Sequence, residues 1–265
     1  MNCYIRCAAV AAISVAAQSQ SFAQLQDLFI TNSAGVVYQL NGQTLQATEL
    51  FQLQDAGLIN EIMYMGDGQL IANLTFAVAS YDMNTNTQTT LFTSQQALGS
   101  NEGIANVAGL ALQSDGNLYY TAKHFTQAGS FNYGGLYDMN TQTNSLIAGS
   151  DAGTLYADHF ELSPGRMLGA NPTSQSIDIF DPTTGAVEAA YSVGSAVASF
   201  VESNDELYIL SSAGDIFTFD YTNGDTEFYG SINGTTGNLI GMTVPAPSSL
   251  AFMGLGLGAL ARRRR

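Results

Sequence analysis

The chain has 265 residues, 22 acidic against seven basic side chains, and a formal net charge of −15. Arg6 and Arg262 to Arg265 lie at the two ends, so residues 24–243 hold only Lys123 and Arg166 against all 22 acids, a formal charge of −20. A surface so poor in cations repels phosphate backbones, which excludes nucleic acid as a partner, and its acidity serves solubility or the collection of divalent cations.

Residues 1–23 read as a secretory signal peptide: one charge at Arg6, an apolar run from Cys7 to Ala17, and small residues at Ser21 and Ala23 ahead of a cut before Gln24. That apolar run is short of the ~20 residues a bilayer crossing needs. Both cysteines, Cys3 and Cys7, lie inside it or before it. The mature chain therefore has no disulfide and relies on packing alone.

From Gln24 onward short strands rich in Tyr, Phe, Leu, Ile and Val alternate with Gly, Asn, Asp, Thr and Ser turns. The first unit has three strands: Asp27 to Thr31, Gly35 to Leu40 and, after an Asn41-Gly42 turn expected to use positive φ, Ala47 to Leu53. The second has four: Glu61 to Met65, Gln69 to Leu74, Ala77 to Met83 and Thr89 to Thr93. The third supplies Gly109 to Leu112, Asn117 to Thr121, Gly135 to Thr141 and Ser145 to Ala148. The fourth supplies Phe160 to Leu162, Arg166 to Ala170, Ser176 to Asp181 and Val187 to Val193. The fifth supplies Ala198 to Glu202, Glu206 to Ser211, Asp215 to Asp220 and Glu227 to Ser231. One apolar strand, Asn238 to Thr243, is left over, and unit one lacks an innermost strand.

A four-stranded unit cannot bury both faces alone and must stack on copies of itself, which is the logic of a propeller blade. The expectation is an all-β, five-bladed β-propeller over residues 24–243, closed by pairing the C-terminal strand with the first blade so that no sheet edge stays open at the ring closure. Tyr38, Tyr81, Tyr137, Phe180 and Phe219 mark equivalent positions in the five blades. The turns that follow four of these aromatics (Tyr81-Asp82, Tyr137-Asp138, Phe180-Asp181, Phe219-Asp220) resemble those of quinoprotein-type and YVTN-type propeller repeats. The tryptophans of quinoprotein blades are absent, so the resemblance implies no quinone cofactor.

The last 22 residues, 244–265, run Val244-Pro245-Ala246-Pro247, then an apolar, Gly-rich stretch from Ser248 to Ala261, then Arg262, Arg263, Arg264 and Arg265. In motif, apolar run and basic end this resembles the PEP-CTERM sorting signal of Gram-negative bacteria, with Ala246 where that family carries Glu. The four arginines stay cytoplasmic by the positive-inside rule. Fourteen residues at ~1.5 Å each reach ~21 Å, short for a ~30 Å hydrocarbon layer, which suits a transient transmembrane helix. The resemblance implies an exosortase-type enzyme as partner, cutting near Pro245 to Pro247, and an exported protein held briefly in the inner membrane on its way to the envelope, surface or extracellular matrix.

Two connections are long, Ser94 to Asn106 and Ala122 to Gly134, and in a propeller both open on the same face; long loops in a compact fold carry function more often than not. Polar groups stand ahead of most innermost strands. Glu61, Asn106, Asp158 and His159, with Lys123, His124 and Tyr133 from the second long connection, form the candidate ligand-binding cluster. Three chemistries fit it. Glu61 and Asp158 are a candidate acid and base for a glycosidase or lyase, although a chain without Trp lacks the usual sugar platform. Asp158, His159 and His124 are a candidate Ca2+ or Zn2+ set, without the spacing of a His-Glu-x-x-His or Asp-x-Asp motif. Otherwise these groups satisfy backbone and water in a wet channel. The favoured expectation is a binding or scaffold module without catalytic residues or cofactor, taking a glycan or protein partner on its long-loop face; the alternative is a carbohydrate-active envelope enzyme.

Overall fold

The structure, a computed structural model, describes residues 24–53, 59–97, 104–127, 129–151 and 154–244. The expected signal peptide and, past Val244, the apolar run and arginine cluster lie outside the described residues. Blade 1 contributes β1 (Leu28–Asn32), β2 (Val36–Leu40) and β3 (Ala47–Gln52). Blade 2 holds β4 (Glu61–Gly66), β5 (Gln69–Asn73), β6 (Ala77–Asp82) and β7 (Thr87–Thr93), followed by a single helical turn, α1 (Ser94–Ala97). Blade 3 holds β8 (Ile104–Leu112), β9 (Leu118–Thr126), β10 (Gly129–Asp138) and β11 (Thr143–Asp151). Blade 4 holds β12 (His159–Ser163), β13 (Arg166–Asn171), β14 (Ser176–Phe180) and β15 (Val187–Ser192). Blade 5 holds β16 (Val197–Ser203), β17 (Glu206–Ser211), β18 (Asp215–Phe219) and β19 (Thr226–Ser231), and the chain ends its fold with β20 (Leu239–Thr243).

These strands form five antiparallel four-stranded sheets, and β20 is the innermost strand of blade 1, in the order β20-β1-β2-β3. Ile30 faces Met242 across that closing ladder. The expected five-bladed ring with a C-terminal closing strand is what forms.

Period-two alternation turns apolar side chains to both faces of each blade, because each blade is covered by a neighbour on either side. Five buried clusters result, one per seam between neighbouring blades. The seam between blades 5 and 1 is the largest, with 14 buried apolar residues including Leu28, Ile30, Tyr208 and Leu210. The seam between blades 3 and 4 is the smallest, with Ala111, Tyr119, Tyr156, Met167 and Phe180. The five register aromatics are all buried in these seams; Phe180, for instance, stacks on Tyr156 with ring centroids 4.7 Å apart.

One turn recurs between the third and fourth strands of all five blades. Its first residue is Asn41, Asp82, Asp138, Asp181 or Asp220, and its side chain accepts the backbone N–H two residues on, at 2.7–3.1 Å. The residue four positions on is left-handed in every case: Leu45, Asn86, Gln142, Gly185 and Gly224. Bonds to turn N–H groups hold the four Asp carboxyls below the usual range, with Asp220 also held by the Thr222 hydroxyl. The Asn41-Gly42 expectation is corrected accordingly: positive φ falls on Leu45, at 52°. Gly42 is needed for a different reason, since a Cβ there would come within 2.1 Å of the Leu25 carbonyl oxygen.

Blade 3 departs from the sequence reading. Ala122 to Gly134, expected as a long loop, continues β9 and β10 as a paired hairpin, with Lys123 opposite Asn132 and Phe125 opposite Ser130. β8 lengthens to match, placing Asn106 opposite Lys123 on its other side. All four strands of blade 3 run nine or ten residues, against five to seven in blades 4 and 5. The surplus overhangs the mouth of the channel. The stretch lacks hydrophobic alternation because beyond Ala122 and Gly134 its described side chains are half-buried or exposed, so few need to be apolar.

Candidate functional site at the mouth of the propeller

The innermost strands β4, β8, β12, β16 and β20 start at the mouth and run to the opposite face, diverging too far for continuous ladder pairing. Side chains bridge four of the gaps. Glu61 on β4 accepts the Leu110 N–H of β8, and Asp158, just before β12, accepts the Phe200 N–H of β16 at 2.7 Å and its neighbour His159 N–H at 2.6 Å. Ser199 of β16 accepts from Met242 N–H at 3.0 Å and donates to its carbonyl at 3.3 Å. Thr243 of β20 accepts the Tyr64 N–H at 3.0 Å. Between β8 and β12 the bond is backbone to backbone, Gly109 N–H to the Tyr156 carbonyl at 3.2 Å.

Glu61 and Asp158 are both buried, and their carboxyls act on each other. Burial, then the charge of Asp158 and the bond to it, pushes the Glu61 carboxyl well above its usual range. Burial also raises Asp158, against the opposing pull of its bonds to Glu61, Ser199, Phe200 and His159. The consistent arrangement is a protonated Glu61 donating to an Asp158 carboxylate.

The other candidates fall elsewhere. His159 is 4% exposed and turns away from the axis into the seam between blades 3 and 4, edge-on to Tyr119 and Tyr156. Neither ring nitrogen has a hydrogen-bond partner. Burial pushes its imidazole down to about 3. His124 and Tyr133 lie on the side of the overhang that faces blade 2, their rings 6.3 Å apart. Lys123 and Asn106 lie on the opposite side, with the Lys123 ammonium 5.3 Å from the centre of the Phe125 ring. The cluster expected from sequence is thus divided between the axis, the seam of blades 3 and 4 and the two sides of the overhang, and Asp158, His159 and His124 do not meet as a metal-binding trio. Among the described residues no three His, Cys, Asp or Glu side chains are placed to hold a metal ion.

A cavity of about 320 Å3 opens at the mouth, lined by Asn60, Asn106, Ala108, Tyr156, Val197 and Leu239 among others. Its lining is mainly apolar, with amides from Asn60 and Asn106. Sequence reasoning missed Thr121 and Asn132, which the extended hairpin places in the row of Lys123; alternation continued from Tyr119 through 121, 123 and 125 is the signal that finds them.

The chain carries a PEP-CTERM protein-sorting motif at residues 243–265. No curated protein sequence matches it. Among solved structures, a chain of the nidogen/laminin complex aligns with a TM-score of 0.51 at 11% identity, over 82% of this chain and 97% of that one. A protein of unknown function from Bacteroides caccae aligns with a TM-score of 0.52 at 10% identity, over 81% and 77%. At such identities the likeness is one of fold, and it does not single out the quinoprotein or YVTN type.

Proposed function

We propose that this chain is an exported β-propeller that acts as a binding or scaffold module at the cell envelope or surface, engaging its partner at the mouth face. The sorting motif carries the reading: it begins at Thr243, the last residue of the closing strand, so the folded ring and the export signal are one continuous design. Residues 1–23 serve as the export leader and 244–265 as a transient inner-membrane segment that an exosortase-type enzyme processes. The geometry at the axis supports a non-catalytic role. A glycosidase holds its two carboxyls ~5–9.5 Å apart around the scissile bond, whereas Glu61 and Asp158 are buried and accept backbone N–H groups that tie neighbouring strands together. Their task is to hold the ring.

Tracking a tagged chain with and without Arg262 to Arg265 tests the reading: removal of the four arginines is expected to abolish processing and shift the protein's location. Unchanged processing and location would overturn it. The enzymatic alternative is tested by Glu61→Gln with Asp158→Asn, assayed on envelope polysaccharides. Hydrolysis by the wild type that the double variant loses would restore that alternative.

A further inference from the structure

The seam between blades 3 and 4 is unlike the other four. It has the smallest apolar cluster, and its upper part gathers polar atoms that the fold leaves without partners. Tyr119 packs toward blade 4, so alternation along β9 puts Thr121, Lys123 and Phe125 on that same face. Cross-strand partners share a face, which adds Asn132 and Asn106, both directly opposite Lys123. Thr121 is fully buried and its Oγ1 has no hydrogen-bond partner; the Oδ1 atoms of Asn106 and Asn132 are likewise buried and unpaired. The residue opposite Thr121 is Gly134, which brings no side chain to cover the hydroxyl. His159, lower in the seam, adds two unpaired ring nitrogens.

Each buried polar atom left unpaired is destabilising, because it has given up water without gaining a partner. Elsewhere such side chains are mostly spent on turn N–H groups and strand bridges, and the other unpaired oxygens, Gln88 Oε1 and Asn144 Oδ1, stand singly in two other seams. Three unpaired oxygens share one face with Lys123, and Asn106 of the same row also lines the mouth cavity; the row is built for something other than the fold. The exposed Phe125 ring stands at its rim.

We propose that this row, Asn106, Thr121, Lys123 and Asn132, binds a hydroxyl-rich neutral ligand, a sugar unit of a surface or matrix polysaccharide, with Phe125 as the apolar platform for the ring face. Hydroxyl groups donate to the unpaired oxygens and accept from the Lys123 ammonium, which no simple anion or cation does at once. A cationic ligand meets Lys123. An anionic one meets a domain of net charge −20 with one other cation, Arg166, which is bonded to Glu188 at 2.9 Å. The acidic turns lie on the far face (Asp82, Asp138, Asp181 and Asp220), so the mouth is the face that a neutral chain approaches without displacing counterions. This inference rests on the binding-module reading and names its ligand class.

The test is affinity electrophoresis of the full chain in detergent through gels containing dextran, galactomannan or laminarin, with alginate and chitosan as anionic and cationic comparisons. At least one neutral polysaccharide is expected to retard the wild type. Thr121→Val combined with Asn132→Leu is expected to weaken that retardation about tenfold or more, which corresponds to ~1.4 kcal/mol or more, while Thr121→Ser retains it. Retardation by none of the neutral gels, by alginate or chitosan alone, or unchanged in the double variant overturns the inference. Binding to isolated envelopes separates this failure from that of the broader reading. If envelopes treated with periodate, which destroys vicinal diols, bind as well as untreated ones, the module stands and the sugar is wrong. If neither preparation binds, both are overturned.

Discussion

The seam between blades 5 and 1 and the seam between blades 3 and 4 are built from the same repeat and do opposite things. In the first, Leu28, Ile30, Tyr208, Leu210, Ile216 and Met242 fill the space between sheets with apolar volume, and the hydroxyl of Tyr208 still finds Glu206 at 2.9 Å. In the second, five apolar residues suffice at the bottom, with an unpaired imidazole among them, and above sit an unpaired hydroxyl and two unpaired amide oxygens. The first seam pairs its buried polar groups, as Asn32 does with the Tyr38 hydroxyl and the Thr236 carbonyl. The second leaves several of its own unpaired.

The largest effect is expected where the seams meet the axis. Asp158→Ala strips the acceptor from Phe200 N–H and His159 N–H and the partner from Glu61, and is expected to destabilise the protein by ~3–5 kcal/mol in urea titrations. A loss under ~1 kcal/mol would mean that the strand bridges are dispensable. Next, Leu210→Ala in the closing seam is expected to cost ~2–5 kcal/mol. A cost no greater than that of a surface change would erase the contrast between the seams.

The third test is pH. His159 is neutral in the fold down to about 3, whereas in the unfolded chain it takes up a proton near its ordinary ~6.5. Between those values the unfolded state binds the extra proton, so the stability this group permits is full above pH 6.5 and is lost as pH falls toward 3. Glu61 works in the other direction, because its raised carboxyl keeps a proton that the unfolded chain releases first, and that stability fades as pH rises through its folded value. His159→Leu is expected to flatten the acid limb of thermal melts and leave the alkaline limb alone. An unchanged acid limb would show that the imidazole is solvated. The smallest effect has the opposite sign to the first two: Thr121→Val removes an unpaired buried hydroxyl and is expected to leave stability unchanged or raise it by up to ~1 kcal/mol. A clear loss would reveal a structural partner for that hydroxyl and remove the case for a ligand there.

Much of the ring was readable before the structure. Strand periodicity, the tight turns and the aromatics from Tyr38 to Phe219 are local signals, and the leftover strand Asn238 to Thr243 matched a vacancy in blade 1 that only it could fill. The site was less readable. Glu61, Asp158 and His159 were found because polar residues ahead of apolar strands stand out, but which way each turns is decided by alternation across the axis: Asp158 points inward and His159, one residue on, points into a seam. The overhang reads as a loop because Lys123 to Gly134 carries Gly, Asn, Ser and Gln, and strand pairing there is sustained by backbone hydrogen bonds with most side chains only half-buried or exposed. Asn132 is hidden for the same reason, whereas Thr121 ends an expected strand and only its lack of a partner in the fold sets it apart.

The path of β20 has a mechanical consequence. The strand starts at the cavity mouth, runs down the inside of the ring, and hands over directly to the sorting motif at the opposite face. A pull on the tail is therefore directed along the strand, and the rungs from Phe29–Thr243 to Asn32–Leu239 bear it together in shear instead of opening one by one. The same path sets the cavity, at Leu239, and the start of the sorting motif, at Thr243, at opposite ends of one strand.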